Sequence, residues 1–429
     1  MQRNFVQLEQ VLTDKKLKED RRAFEISYSN YIRRRNEVLK NIDVNELKEK
    51  LMKIRESSIE KLIDLKNLTI KNFKQQGIAV HEARNAREAR EILFSLIEKG
   101  EVVVKSKTNV GREIELNKFF KENKNEVFET DTGDFLVSVC EEEAIHPITP
   151  AIHITTERIV EAIERKFGVK LREDPKEIVQ WIRNYIRERI FRAKVGITGA
   201  NVISAEGAIF VAENEGNISL ISRIPEKHIV VSSIDKIVES NEEAITICKA
   251  LAIFGTASSN VAYVSVIGGP SSTADIQKEI VYGAQGAREV HLILVDNGRS
   301  KLLNSSLREA LYCIGCGACL YSCPVYRTLL KNYGGKTYYG GIGLVRSSSF
   351  EDIIEISKKA FYCTTCSACK EICPVRIDVP KLIRELRADL TKNNINTEVN
   401  KKIAENLESF GNPYGVIEKG SKPKNLYCC

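Results

Sequence analysis

Long hydrophobic runs are missing from this 429-residue chain. No stretch reaches the ~18–20 uncharged apolar residues that a membrane-crossing helix needs. The closest, residues 245–267, is broken by Lys249 and by Thr256-Ala257-Ser258-Ser259-Asn260. The first 25 residues are densely charged and lack the apolar centre of a secretory signal. The expectation is a soluble cytoplasmic protein that does not span a membrane and touches one only peripherally, through partners. A dense basic stripe is missing too. The 65 Lys and Arg against 58 Asp and Glu leave +7 over the whole chain. That speaks against nucleic-acid binding and leaves room for weak attraction to an acidic protein or membrane surface. Tryptophan occurs once and methionine twice, whereas cysteine occurs twelve times, eight of them between Cys313 and Cys373. Without a secretion signal, clustered cysteines more often bind metal or do redox chemistry than form structural disulfides.

Glycine and proline are absent before Gly77. Residues 1–76 are rich in Lys, Glu, Arg and Leu, and Leu47, Leu51, Ile54, Leu62 and Leu65 recur at roughly helical spacing. A helical arm is expected, packed on the main domain or on a partner. From 77 to 299, β-rich runs at 101–105, 135–140, 208–212, 218–221, 229–232, 261–266 and 290–295 alternate with helical stretches at 86–98, 156–167, 175–192 and 242–254. This predicts an α/β domain with a substantially parallel sheet, whose ligand sites lie in loops at the carboxyl ends of strands. Residues 300–391 carry both cysteine clusters between helical flanks at 302–311, 350–360 and 379–390, unlike the hairpins of a minimal bacterial ferredoxin. Residues 392–429 hold one helix, 398–410, ended by Gly411-Asn412-Pro413-Tyr414-Gly415.

Cys313-Ile-Gly-Cys316-Gly-Ala-Cys319-Leu-Tyr-Ser-Cys323-Pro324 has the spacing C-x2-C-x2-C-x3-C-P, and Cys363-Thr-Thr-Cys366-Ser-Ala-Cys369-Lys-Glu-Ile-Cys373-Pro374 repeats it. This pattern binds [4Fe–4S] clusters, and in two-cluster proteins the fourth cysteine ligates the other cluster. Small residues between the first three cysteines let the backbone approach the sulfides. Two clusters are therefore expected, one on Cys313, Cys316, Cys319 and Cys373, the other on Cys363, Cys366, Cys369 and Cys323. Zinc is the competing metal, but zinc sites favour two separated pairs of ligands.

Other candidates carry less. Gly334-Gly335-Lys336-Thr337 lacks the earlier glycine of a phosphate-binding loop, since Leu330 stands there, and no β-run precedes it. Gly196-Ile-Thr-Gly199-Ala-Asn201 is not G-x-G-x-x-G; it reads as a structural turn or a backbone-lined ligand loop. Glu129-Thr130-Asp131 and Gly133-Asp134 group carboxylates in one loop, with Lys105 and Lys107 before it and His146 and His153 after. Two readings are open: a solvated loop, or a site where Lys105, Lys107, Asp131 and His153, with Asn201, bind a small acid, move a proton or dock a partner. His81, His228 and His291 read as strand-edge or helix-cap residues. Cys140 and Cys248 lie in apolar runs and read as buried packing residues. Cys428-Cys429 reads either as a redox-active or metal-binding pair or as a free end.

Several of these segments together resemble the lactate utilization protein B family. The resemblance rests on Lys105-Ser106-Lys107-Thr108, Glu113-Ile-Glu-Leu116-Asn117, Glu129-Thr130-Asp131 and Pro150-Ala151-Ile152-His153. It continues through Gly196–Asn201, Asn214-Glu215-Gly216-Asn217, Leu294-Val295-Asp296-Asn297-Gly298-Arg299, both cysteine motifs and Cys323-Pro-Val-Tyr326-Arg327. It implies a Rossmann-like LUD domain related to ribose-phosphate isomerases and CoA transferases, followed by an α-helical ferredoxin domain. It also implies a complex oxidising L-lactate to pyruvate, with a Cys-Cys-Gly-domain redox subunit and a LUD-only subunit or a flavin dehydrogenase as partners. The chain departs from the family at Lys336, where Gly-Gly-His is usual, and at Gly341, where proline is. Its tail resembles the connector preceding a Cys-Cys-Gly domain, which a separate partner is expected to supply. The expected function is that of an iron–sulfur electron-transfer subunit. The competing classes are a self-contained dehydrogenase using Lys105, Asp131 or His153 and a redox-sensing interaction protein.

Overall fold

The computed structural model describes residues 8–418 and 421–423, so Cys428 and Cys429 lie outside the described residues. Its strands are β1 (Ile78–Ala83), β2 (Val102–Lys105), β3 (Glu126–Glu129), β4 (Val195–Thr198), β5 (Val202–Ser204), β6 (Ala208–Glu213), β7 (Lys227–Ser233), β8 (Ile237–Val238), β9 (Tyr263–Ile267), β10 (Ser272–Thr273), β11 (Val281–Tyr282) and β12 (Glu289–Val295). Six of them form one sheet in the order β1-β12-β7-β4-β2-β3, every neighbour parallel. A smaller mixed sheet, β8-β5-β6-β9, and a β10–β11 ribbon complete the strands of the described residues.

Side chains alternate across each strand, so a parallel sheet must be covered on both faces. Ile229, Val231, Ile293 and Val295 pack one face beneath the helices Ala86–Leu96 and Leu116–Asn123. Val230, Leu292 and Leu294 point the other way, into a core shared with the amino-terminal helices and the cysteine-bearing region. Val104 joins a third cluster with the helices Thr156–Phe167 and Pro175–Arg192.

Among the described residues the amino-terminal segment forms four helices, Leu8–Thr13, Lys15–Leu39, Val44–Glu60 and Leu62–Gln75. Their apolar stripes contribute Phe24, Tyr31, Leu51, Ile59 and Phe73 to the same core as Ile314, Leu320 and Tyr321. Each such side chain contributes about 1.5–3 kcal/mol by leaving water. The arm is thus a layer packed on the body of the chain. No described helix is long and apolar enough to cross a membrane.

Several local expectations change. Residues 135–139 fall in a helix, Thr132–Val139, with Cys140 just past its end, because Asp131 caps it by accepting from the Asp134 amide at 3.0 Å. Residues 218–221 are helical as well (Asn217–Ile221): the Glu213 carboxylate accepts from the Ile218 and Ser219 amides at 2.7 and 2.9 Å. β-branched content alone does not decide when a carboxylate holds the first amides. Gly196 lies inside β4, where a Cβ would sit 1.9 Å from the Ile221 carbonyl, so packing rather than a turn requires the glycine. The helix expected over 302–311 splits into Arg299–Leu303 and a 3-10 turn, Arg308–Tyr312. Ser305 Oγ donates to the Leu302 carbonyl and accepts from the Leu307 amide, diverting the backbone between them. His228 stands in central strand β7, fully buried, instead of at an edge.

Candidate metal centre

Both cysteine motifs fold into the same loop. A helical turn leads into Cys313 (Arg308–Tyr312) and into Cys363 (Ile353–Ala360), and a five-residue helix follows each loop, Ala318–Ser322 and Ala368–Ile372. These two short helices pack on each other. The backbone turns left-handed two and four residues after the first cysteine in both copies: Gly315 and Gly317 in one, Thr365 and Ser367 in the other. That twist curls the loop around its interior. It also aims amides at sulfur, the Thr365 N–H donating to Cys363 Sγ at 3.4 Å.

Each fourth cysteine is followed by proline. Cys323 caps the helix Pro324–Leu329, its sulfur accepting from the Tyr326 amide at 3.4 Å. Proline at the first helical position lacks only an N–H that would be unpaired there. The cap turns Cys323 away from its own loop and into a cavity lined by Cys363, Cys366 and Cys369 of the other motif. Cys319 also lines this cavity, and Gly340 and Gly341 close one side of it. On the opposite side, burial first and then the neighbouring Cys373 and Cys313 thiols push Cys316 up. Cys373 is pushed up to about 11 by burial, with Cys313 beside it. Cys323 is likewise pushed up to about 11, by burial and then by Cys363 and Cys366. Thiols held this way keep their protons unless a metal displaces them. All-sulfur donors, small residues in the loops and amides facing sulfur fit an iron–sulfur cluster. Among the described residues no three His, Cys, Asp or Glu side chains converge as they would on one ion. Cys248 is buried as expected, whereas Cys140 is only half-buried.

The structure brings only part of the second candidate set together. Lys105, at the end of β2, is ion-paired with Glu129, at the end of β3. Burial outweighs Lys105 and raises the Glu129 carboxyl to about 7. Lys107 donates to the Ile148 carbonyl at 2.7 Å and lies 3.4 Å from Asp131. Buried Asn217 reaches the Thr130 hydroxyl at 3.2 Å, tying this loop to the segment after β6. His153 stands apart, 4.0 Å from Glu142, which is itself paired with Arg158 and Lys16. The Asn201 side chain accepts from the Ala212 amide at 2.9 Å.

A buried ionic network, not anticipated from the sequence, lies between these two sites. Arg299 holds Asp235 at 2.7 Å and Glu113 at 2.6 and 2.8 Å. Arg346 reaches the other Asp235 oxygen at 2.9 Å and the Ala310 carbonyl at 3.2 Å. Asn297 and Tyr338 donate to Glu113 at 2.7 and 2.8 Å. Arg55, 2% exposed, donates to the carbonyls of Asp235, Leu311 and Tyr312. Lys236 reaches the Ile314 carbonyl at 3.4 Å, and burial pushes it down to about 8. Burial alone would raise the Asp235 carboxyl, but Arg346 and Arg299 hold it well below the ordinary range. The segments carrying Glu113 and Asp296–Arg299 were visible as motifs, yet only the fold shows that they meet.

Comparison with known proteins agrees with this layout. A family model described as LUD domain matches residues 66–295, and one described as 4Fe-4S dicluster domain matches residues 309–377. A lactate utilization protein B from Bacillus pumilus (strain SAFR-032) is 33% identical over 298 residues, 68% of this chain and 61% of that protein. One from Shouchella clausii (strain KSM-K16) is 34% identical over 284 residues, 65% of this chain and 58% of its own length. The match thus spans about three fifths of these relatives. A crystal structure of a DUF162 family protein from Deinococcus radiodurans covers 56% of this chain and 98% of its own at 14% identity, with a TM-score of 0.30. The LUD match alone takes in more than half of the sequence, and the chain belongs to the LUD-domain family, its parallel α/β domain followed by a 4Fe-4S dicluster domain.

Proposed function

We propose that this chain is an iron–sulfur electron-transfer subunit of a complex that oxidises a 2-hydroxy acid, L-lactate to pyruvate being the favoured reaction. The observation that carries the proposal is the cavity in which Cys323 of the first motif meets Cys363, Cys366 and Cys369 of the second. It supports two clusters with crossed ligands, one on those four cysteines and one on Cys313, Cys316, Cys319 and Cys373. When bound, [4Fe–4S] clusters supply one-electron transfer. The protein's part is to hold the ligands, direct amides at sulfur and bury one quartet more deeply than the other: Cys316 and Cys373 are buried, Cys366 is exposed. Cys319 bridges the two environments, feeling Cys316, Cys313 and Cys373 on one side and Cys369 on the other. The relatives' name supports lactate as the substrate of the system.

In this reading residues 77–299 form a Rossmann-like domain of the isomerase and CoA-transferase type, preceded by the helical layer 1–76. Residues 300–391 form the ferredoxin-type domain, and 392–429 a carboxyl-terminal helix and tail. Those partners are a Cys-Cys-Gly-domain redox subunit and a LUD-only subunit or a flavin dehydrogenase. A second reading is favoured by Glu129: a carboxyl titrating near neutrality beside Lys105 suits taking a proton from a 2-hydroxy acid, and this chain would itself be a dehydrogenase if the second proton went to water and the two electrons went one to each cluster.

One anaerobic experiment separates the two. The cluster-loaded chain is mixed with L-lactate, D-lactate or glycolate, then with dithionite, while visible absorbance and EPR are followed. Reduction by dithionite alone is the result expected of a relay. Reduction by one of the acids would move the chemistry to Lys105 and Glu129. Failure of dithionite to reduce any cluster would end the relay proposal.

A further inference from the structure

The buried network does not balance its own charge. Arg55, Lys236, Arg299 and Arg346 bring four positive charges, and Glu113 and Asp235 bring two negative ones. Two positive charges are left over; Arg55, Arg299 and Arg346 are buried and Lys236 is partly so. Three of the four cations point at one place: Arg55, Arg346 and Lys236 donate to carbonyls of residues 310–314, the chain that enters and surrounds Cys313. Each of these three also feels the Cys313 sulfur. Lys48, whose ammonium donates to the Glu371 carbonyl, adds a half-buried cation on the Cys373 side. Glu243 is the next carboxylate toward Arg55, but it is only partly buried and holds the Glu239 amide. The other quartet has less around it. Arg387 donates to the Ala360 and Cys363 carbonyls, and Lys359 to that of Gly334, but Lys359 is offset by Glu351 and Glu355.

We propose that Arg55, Lys236 and Arg346 supply the counter-charge for the cluster on Cys313, Cys316, Cys319 and Cys373, and hold its reduction potential above that of the other cluster. A cubane with four thiolates carries a net negative charge, and reduction adds one more. An uncompensated cation favours the reduced form. At about 10 Å and an effective dielectric near 20, each such cation shifts the reduction equilibrium by roughly tenfold or more. Burial of the first quartet works the other way, by disfavouring added charge, but it also keeps water from screening Arg55 and Arg346. The structure therefore assigns a direction to the pair. With both clusters bound, an electron from a low-potential donor would run from the Cys323 quartet to the Cys313 quartet, with no bond or proton moved. This inference rests on the crossed-ligand reading above.

The test is an anaerobic EPR-monitored redox titration of the full cluster-loaded chain, compared with its Lys236→Met and Lys359→Met variants. Lys236 makes one long hydrogen bond, so its replacement removes charge with little loss of packing. Exposed Cys366 supplies the assignment, because Cys366→Ser perturbs only the signal of its own quartet. Two midpoints are expected, the lower one being the signal changed in Cys366→Ser. Lys236→Met should lower the upper midpoint by about tenfold in the reduction equilibrium, which is 59 mV for one electron, and leave the lower one in place. Lys359→Met, whose charge Glu351 and Glu355 offset, should leave the upper midpoint in place. If the upper midpoint belongs to the Cys366 quartet, or if Lys236→Met moves the lower midpoint or neither, the inference falls while the two-cluster reading stands. If fewer than two four-iron signals appear in the wild type, the two-cluster reading itself falls. The order of the wild-type midpoints decides the matter even where the Lys236 variant does not fold.

Discussion

Tyr31 and Phe254 stand 223 residues apart in sequence, and the phenol hydroxyl of the first donates to the backbone carbonyl of the second at 2.6 Å. The Tyr31 ring also stacks on Tyr321 of the first cysteine motif, centroids 4.2 Å apart. One side chain of the amino-terminal layer therefore fastens the α/β domain to the cysteine-bearing region. Replacing it by phenylalanine keeps the stack and strips a buried carbonyl of its donor. Tyr31→Phe should cost about 1–3 kcal/mol in urea unfolding of the cluster-loaded protein. A variant as stable as the wild type would mean that this contact does not fasten the two regions.

Crossed ligands make a pattern that parallel ligands cannot. Cys323→Ser should remove iron from the cluster on Cys363, Cys366 and Cys369 while its own motif stays loaded, and Cys373→Ser should do the reverse. Iron content together with EPR of each variant reads this directly. Loss confined to the cluster of the mutated motif would refute the crossed assignment.

The second loop adopts its left-handed turns without glycine, at Thr365 (φ 55°) and Ser367 (φ 68°), where the first loop has Gly315 and Gly317. L-residues lose about 1–2 kcal/mol in that conformation, partly offset by the extra freedom glycine brings to the unfolded chain. Ser367→Gly should therefore raise stability by about 0.5–1 kcal/mol. Gly317→Ala should lower it, since its Cβ would meet the His146 ring at 3.2 Å in a backbone of φ 73°. Paired thermal melts of the loaded proteins check both signs.

Burial pushes His228 down to about 3, its Nε2 lying 2.9 Å from the Thr198 hydroxyl. The unfolded chain takes up a proton near pH 6.5 that the folded chain refuses, so this residue's contribution is present above 6.5 and is lost as pH falls toward 3. Urea midpoints at pH 7.5 and 5.5 should differ in the wild type by more than in His228→Asn. Equal differences in the two proteins would remove His228 from the account.

What the sequence made legible was local. Thr156–Phe167 and Pro175–Arg192 form where expected, because Thr155 and Asp174 cap them and Pro175 opens the second. The cysteine loops were readable because their spacing encodes their geometry. The helices Thr132–Val139 and Asn217–Ile221 were missed because their apolar residues resemble strands, and the decisive signals are single carboxylates at their starts. The ionic network was out of reach for another reason. Glu113 and Arg299 are 186 residues apart, and nothing in either neighbourhood says that the other will be its partner. His153 illustrates the converse: a histidine suitable for a site in composition sits beside Glu142, away from Lys105 and Glu129.

The continuity of the main core has a consequence for the proposed relay. Residues from Leu17 and Phe24, through Val230 and Leu292, to Leu320 and Leu386 belong to a single packed body. A seam between domains normally permits swinging, but here the helical layer crosses that seam. The separation of the two cysteine quartets is thus built into the masonry, and in the relay proposed above voltage, not a moving arm, would set the traffic between them.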